Sequence, residues 1–193
     1  MNRHIIYLLL SICTSSLGCV HKPTVQGEYA YIQVMHKKQG PKMCVPTSAS
    51  MILAYYGDKN ITPQTLKQLS TPINSDFEGT YLRDLINGVK SFGYDWELRV
   101  FPVDSAGFEN GFREIRQTLD RGNPILLSTS FPPVGHTLVM VGYDTTRKEV
   151  FLVDPDMEAP GRRTLTYAKF KMMWHDDIAD CRAFVLTSPK SVE

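Results

Sequence analysis

The stretch that most limits what this chain can become is residues 39–57, Gln39-GPKM-Cys44-VPTSASMILAYY-Gly57. Pro46 opens an apolar run just after the cysteine, and Gly57 closes it. Proline suits the first turn of a helix, where its missing N–H has no intrahelical partner, and glycine suits the residue past the last turn. The run therefore predicts a helix over 45–56 with Cys44 at its N-terminus. Unpaired N–H groups and the helix dipole favour negative charge at that end, which lowers a thiol's pKa and enlarges its thiolate fraction. A thiolate so placed is a nucleophile, and the rest of the chain has to supply its partners.

A chain of 193 residues is long enough for one domain with a core, and 42% hydrophobic with 21% charged residues is ordinary for a folded protein. At the start, Arg3 precedes an apolar run over 5–12, small polar residues and then Gly18-Cys19. That is the layout of a secretory signal, too short in its apolar part to span a bilayer. Glycine directly before cysteine resembles a bacterial lipoprotein signal, in which Cys19 becomes the lipidated first residue. Ser16 and Gly18 also suit ordinary signal peptidase cleavage, which would release a soluble secreted or periplasmic form. The expected layout is a signal peptide over 1–18, a polar tether over 19–28 and one domain over 29–193. The expected location is the bacterial cell envelope, lipid-anchored to the outer membrane and facing the periplasm. Loss of Arg3 with the signal takes the formal charge from +1 to about 0. A neutral mature chain argues against nucleic acid or anionic lipid as an electrostatic partner.

Along the chain, 28–36 alternates loosely, as a short strand or extended lead-in. Thr62 as N-cap and Pro63 begin a second helix, with Leu66 and Leu69 as its buried face. A third helix is expected over 81–92, stopped by Gly93. From Trp96 the pattern changes: 96–101 alternates like a strand and 108–121 returns to a helix ended by Gly122. Apolar runs bounded by Gly, Pro and Asp predict strands over 124–130, 136–143, 149–154 and 183–186, with a helix over 166–174 between the last two. A helical first half followed by an antiparallel sheet is an α+β layout.

A cysteine nucleophile needs a base, and the base an orienting group. Of five histidines, His4 lies in the signal, His21 in the tether, and His36 and His175 in polar surroundings with no rigid element to aim them. His136 opens the strand Gly135-HTLVMVGYD. A tight turn in Asp144-TTRK would pair that strand with the one ending at Asp154, and a three-residue turn centred on Thr145 puts His136 directly opposite Asp154. Their Cβ atoms would then be about 4.5–5.5 Å apart. Asp144 and Asp156 compete for the orienting role, although turn aspartates are commonplace. Gln39, with Gln33 nearby, offers a side-chain amide that together with the Cys44 N–H can bind a developing oxyanion. His175-Asp176-Asp177 reads as a solvated turn, and no metal or organic cofactor is expected.

Gln39, Cys44, the Pro46-T-S-A-S-M helix, Gly135-His136 with its valine-rich strand and GYD, and Val153-Asp154-Pro155 are together similar to the papain-like family-39 cysteine peptidases. Those enzymes and their stand-alone relatives cut bacteriocin leaders after a double glycine. The resemblance covers about residues 31–157. It implies a papain-like fold with Cys44 as nucleophile, His136 as base, Asp154 as orienter, Gln39 as oxyanion donor and a peptide or protein as substrate. In one place the chain departs from the pattern: family members usually have glycine after the cysteine, and Val45 is expected to narrow the approach to it. Three readings compete. Cys44 and Cys181, the two cysteines left once Cys13 goes with the signal and Cys19 is lipidated, form a disulfide in an oxidising compartment; the fold serves only for peptide binding or assembly; or the same residues transfer acyl groups.

Overall fold

Helix α1, Cys44–Tyr55, is buried over nine consecutive residues from Val45 to Leu53, so it runs through the interior. Met51, Ile52 and Leu53 are fully enclosed, and burial of such a side chain contributes about 1.5–3 kcal/mol. The chain ends this helix at Gly57, whose φ of 107° is open to glycine at little cost. Around α1 the computed structural model places α2 (Pro63–Ser70) and α3 (Leu82–Lys90) on the helical side. The sheet lies on the other side. The structure describes residues 27–70, 78–131, 134–175 and 180–190. The expected signal peptide, the tether up to residue 26, Cys19, Pro132–Pro133, Asp176 and Asp177 lie outside them.

The remaining elements are β1 (Tyr29–Tyr31), β2 (Glu97–Phe101), α4 (Ser105–Asp120), β3 (Ile125–Phe131), β4 (Val134–Asp144), β5 (Glu149–Val153), β6 (Arg162–Thr166), α5 (Tyr167–Met173) and β7 (Arg182–Leu186). The strands form one antiparallel sheet in the order β2-β7-β3-β4-β5-β6, with β1 added beside β4. This is the α+β, papain-like layout: helices first, then a sheet on which the nucleophile helix packs. Ser48, buried in α1, donates to the Thr137 carbonyl of β4 at 3.0 Å and pins helix to sheet.

Several local expectations are revised. Helix α4 begins at Ser105, earlier than the apolar pattern implied, because the Asp104 carboxylate caps it by accepting from Gly107 N–H at 2.7 Å. Leu69 is 46% exposed; in α2 the buried positions are Leu66 and Ser70. Ser70 faces Gly88 of α3, where an added Cβ would come within 2.3 Å of its hydroxyl, so this closely approached face has room for serine rather than leucine. Strand β6 was not anticipated at all. Its Arg-Arg-Thr-Leu-Thr buries only Leu165 and forms the edge of the sheet.

Candidate active site

Cys44 is the first residue of α1, and the helix start is left electrostatically open. Met43 at the N-cap position makes no side-chain cap, and the first turn has no acidic residue. Ser48 lies one turn further on the same face. Its bond to the Thr137 carbonyl therefore brings Cys44 against the strand residue next to Thr137, which is His136. The thiol is hydrogen-bonded to His136, and it also takes backbone hydrogen bonds from Thr137 and Val45.

His136 and Asp154 meet by a different geometry from the one expected. The turn has four residues, 145–148, and Asp144 pairs with Glu149. Continued unbroken, that register would put His136 and Asp154 on opposite faces. A bulge prevents it: pairing shifts between Met140 and Gly142, so Val141 is the extra residue and Met140 faces Leu152. The bulge returns both side chains to one face as diagonal rather than direct neighbours. His136 Nε2 and Asp154 Oδ1 are 2.7 Å apart. With Nε2 engaged, Nδ1 is the ring nitrogen left for the thiol.

Asp154 is 1% exposed and its carboxylate is bonded on both oxygens. Oδ1 accepts from His136 and from the Asp156 backbone N–H at 2.9 Å, and Oδ2 accepts from Arg163 Nε at 3.1 Å and Nη2 at 2.8 Å. Burial pushes this carboxyl upward, yet the bond to His136, the Asp156 N–H, the imidazolium charge and Arg163 carry it down to about 2. For His136, burial pushes the imidazole downward, but bonds to Asp154 and Cys44 and their charges raise it to about 9. Burial likewise acts to raise the Cys44 thiol, and the His136 bond, the two backbone bonds and the imidazolium charge leave it lowered. The three directions agree in favouring a proton on the ring over one on sulfur, above an ionised aspartate.

Gln39 is tied to the same loop. Its N–H donates to the Pro155 carbonyl at 2.8 Å and its amide Nε2 to Asp156 Oδ1 at 3.3 Å, while Oε1 is buried with no hydrogen-bond partner. Asp156 thus holds Gln39 and does not orient the histidine. Asp144 serves the hairpin, accepting from Arg147 N–H at 2.8 Å. Val45, expected to narrow the approach to the nucleophile, is 5% exposed and part of the apolar core. Cys44 and Cys181 are not joined in a disulfide, which removes that competing reading. His175 pairs with Asp180 at 3.2 Å. A depression of about 340 Å³ lined by Met43, Gln64, Lys67 and Gln68 opens one residue from Cys44.

Two residues of the site were missed. His36, dismissed for its polar surroundings, is half-buried with Nε2 3.1 Å from the Asp154 carbonyl oxygen. It is aimed by Gly161, where a Cβ would stand 2.1 Å from the imidazole ring. Arg163 was missed with its strand. Only the glycine after Pro160 and the paired arginines following it mark this loop in the sequence, and neither pattern names a partner.

A cysteine at the start of a buried helix, facing a histidine on an antiparallel sheet, belongs to the papain-like class of fold. The chain belongs to the Peptidase_C39-like family, whose model matches residues 28–177. Among solved structures it is similar to the peptidase domain of Streptococcus ComA, at 16% identity and a TM-score of 0.57 over 81% of this chain and 98% of that one. It is also similar to a double glycine motif protease from an AMS/PCAT transporter in complex with the leader peptide, at 15% identity and a TM-score of 0.58 over 83% and 95%. A third is xylellain, a cysteine protease from Xylella fastidiosa, at 10% identity and a TM-score of 0.59 over 89% and 88%. At these identities the likeness is one of fold. No curated protein matches the chain.

Proposed function

We propose that this protein is a cysteine peptidase of the bacterial cell envelope, with Cys44 as nucleophile, His136 as general base and acid, Asp154 as the group that orients it, and Gln39 as an oxyanion donor. The observation that supports this most is the unbroken hydrogen-bonded run from the Cys44 thiol through His136 to Asp154. The thiolate attacks a peptide carbonyl, and the new oxyanion takes hydrogen bonds from the Cys44 N–H and from Gln39. An amide nitrogen carries two hydrogens, so Gln39 keeps one for the oxyanion while the other stays on Asp156. His136 then gives its proton to the leaving amine, the C–N bond breaks and a thioester remains on Cys44. Water, deprotonated by His136, attacks the thioester, releasing the acid and restoring the thiol. None of these steps calls on a metal or organic cofactor.

The family and the leader-peptide complex of a structural neighbour support a peptide as substrate. The depression at Met43, Gln64, Lys67 and Gln68 would receive one of its side chains. The Gly18-Cys19 signal supports a lipid anchor at Cys19. A peptide-library digest comparing the wild type with Cys44→Ser tests the chemistry: cleavages made by the wild type should vanish in the variant, and identical digests would sink the reading. Membrane fractionation of Cys19→Ala tests the anchor, which should move the protein to the soluble fraction.

A further inference from the structure

Strand β6 places an arginine where the candidate triad ends. Asp154 N–H donates to the Gly161 carbonyl at 2.7 Å, extending the β5–β6 pairing in which Leu152 faces Arg163. Asp154 is therefore diagonal to Arg163 on one side and, after the bulge, diagonal to His136 on the other, all on one face. The two neighbours divide the carboxylate between them: His136 has Oδ1 and the Arg163 fork has Oδ2. A carboxylate this buried is costly to keep ionised unless it is paired and hydrogen-bonded.

We propose that Arg163 is a positioning residue of this site, whose guanidinium fixes Oδ2 of Asp154 so that Oδ1 stays aimed at His136 and the carboxylate stays ionised in acid. The inference rests on the reading of Cys44, His136 and Asp154 as a catalytic triad and extends it by one member. Arg163 acts through Asp154, whose carboxylate it shares with His136. Its consequence falls on the thiolate, because an imidazolium deprived of its aspartate returns the proton to sulfur at a higher pH.

The other charged or titratable groups around Asp154 do not replace it. His36 bonds the backbone carbonyl of Asp154 and not its carboxylate. The Asp156 carboxylate is turned to Gln39. Lys38 is held by the Asp156 carbonyl and by Glu158, with which it pairs at 3.1 Å. Arg163 is thus the cation on Oδ2, and its side chain is 32% exposed, so it can be changed without opening a cavity in the core.

The test is the rate of iodoacetamide alkylation at Cys44 as a function of pH, read on the full chain by mass spectrometry of the tryptic peptide 43–59, which contains no other cysteine. The wild type should alkylate faster than a free thiol at pH 5, with an acid midpoint set by the ion pair. In Arg163→Met that midpoint should rise by about one pH unit or more, and Arg163→Lys, which keeps the charge, should return most of the shift. Arg163→Gln serves if the Met variant fails to fold by circular dichroism; it keeps bulk and one donor but no charge, and its midpoint should also rise. A folded Met or Gln variant with the wild-type midpoint overturns the inference, whatever its plateau rate, since a merely structural role lowers the plateau alone. A wild type no faster than a free thiol at pH 5 overturns the triad reading itself, a result that does not resemble a failure of Arg163 alone.

Discussion

Asp154 and Arg182 are both charged and both buried, at 1% and 4% exposure, yet they sit at two ends of the sheet in opposite chemical company. Arg182 opens β7 and donates to three backbone carbonyls: those of Trp174, of Lys171 at 2.8 Å and of Val103 at 3.0 Å. The rings of Phe108 and Trp174 lie 5.5 and 5.7 Å from its guanidinium carbon. Apart from the Asp104 carboxylate, which acts on it through space, its partners are carbonyls and rings that do not titrate, so this charge ties α5, β7 and the start of α4 together. Asp154 is surrounded by groups that gain and lose protons or carry full charge. Equal burial therefore gives a staple in one place and a proton-coupled site in the other. The nature of the partners, more than burial, separates them.

The largest effect should come from the atom at which the two ends differ most. Cys44→Ser should lower peptide hydrolysis by about 10⁴-fold or more and leave the urea midpoint nearly unchanged. Asp154→Asn should lower kcat/KM by roughly 10³–10⁴-fold, since the imidazole loses both its orientation and its preferred tautomer. Arg182→Met should do the reverse. Three carbonyls lose their donor, at a cost of about 2–4 kcal/mol in unfolding free energy, while the folded fraction keeps kcat/KM within about threefold. A tenfold loss of activity in folded Arg182→Met would break the contrast, because it would couple the staple to the chemistry.

The same contrast predicts which end makes stability depend on pH. The folded Asp154 carboxyl lies at about 2, below its ordinary value, so its stabilisation is fully present above about pH 4 and is lost as pH falls through about 2. That shift corresponds to about 2 kcal/mol. The folded His136 lies at about 9, above its ordinary 6.5, so its contribution is present below about pH 6.5 and is lost as pH rises through about 9. The two share one interaction, which counts once. Urea titrations across pH should show both windows in the wild type and in Arg182→Met. In Asp154→Asn they should flatten. Activity should follow the upper window, falling near pH 9 as the imidazolium that protonates the leaving amine is lost.

How far these features are legible in the sequence depends on whether they are written locally. The α1 helix is, because Pro46 and Gly57 mark its ends and the residues between bury without interruption. His136 and Asp154 stand at strand ends that apolar runs make visible. Their register is not. The turn 145–148 contains no glycine to fix its type, and Val141, the bulged residue, is as apolar as its neighbours. A turn expected one residue too short and a bulge not expected offset each other in the parity of the strand, so the two side chains meet, by a geometry other than the expected one. Arg163 was illegible for another reason. Edge strand β6 has an exposed, largely polar pattern, and it becomes a strand only because β5 is there to pair with it. His36 depends likewise on Gly161, far off in sequence and close in space.

The smallest effects sharpen the comparison most, because two losses of equal size can be set against each other. Ser48→Ala removes the buried bond to the Thr137 carbonyl and Asp104→Ala removes the cap on α4 beside Val103, one next to the candidate site and one next to the staple. Each should cost about 1 kcal/mol, so urea midpoints should fall alike. Their activities should part. Ser48 sets the spacing between the helix that carries Cys44 and the strand that carries His136, and small misplacements of reacting groups cost heavily in rate; kcat should fall about tenfold with KM little changed. Asp104 borders only the staple, and its variant should keep both constants. Equal activities in the two variants, whether both lowered or both kept, would show that helix–strand spacing is not what Ser48 controls.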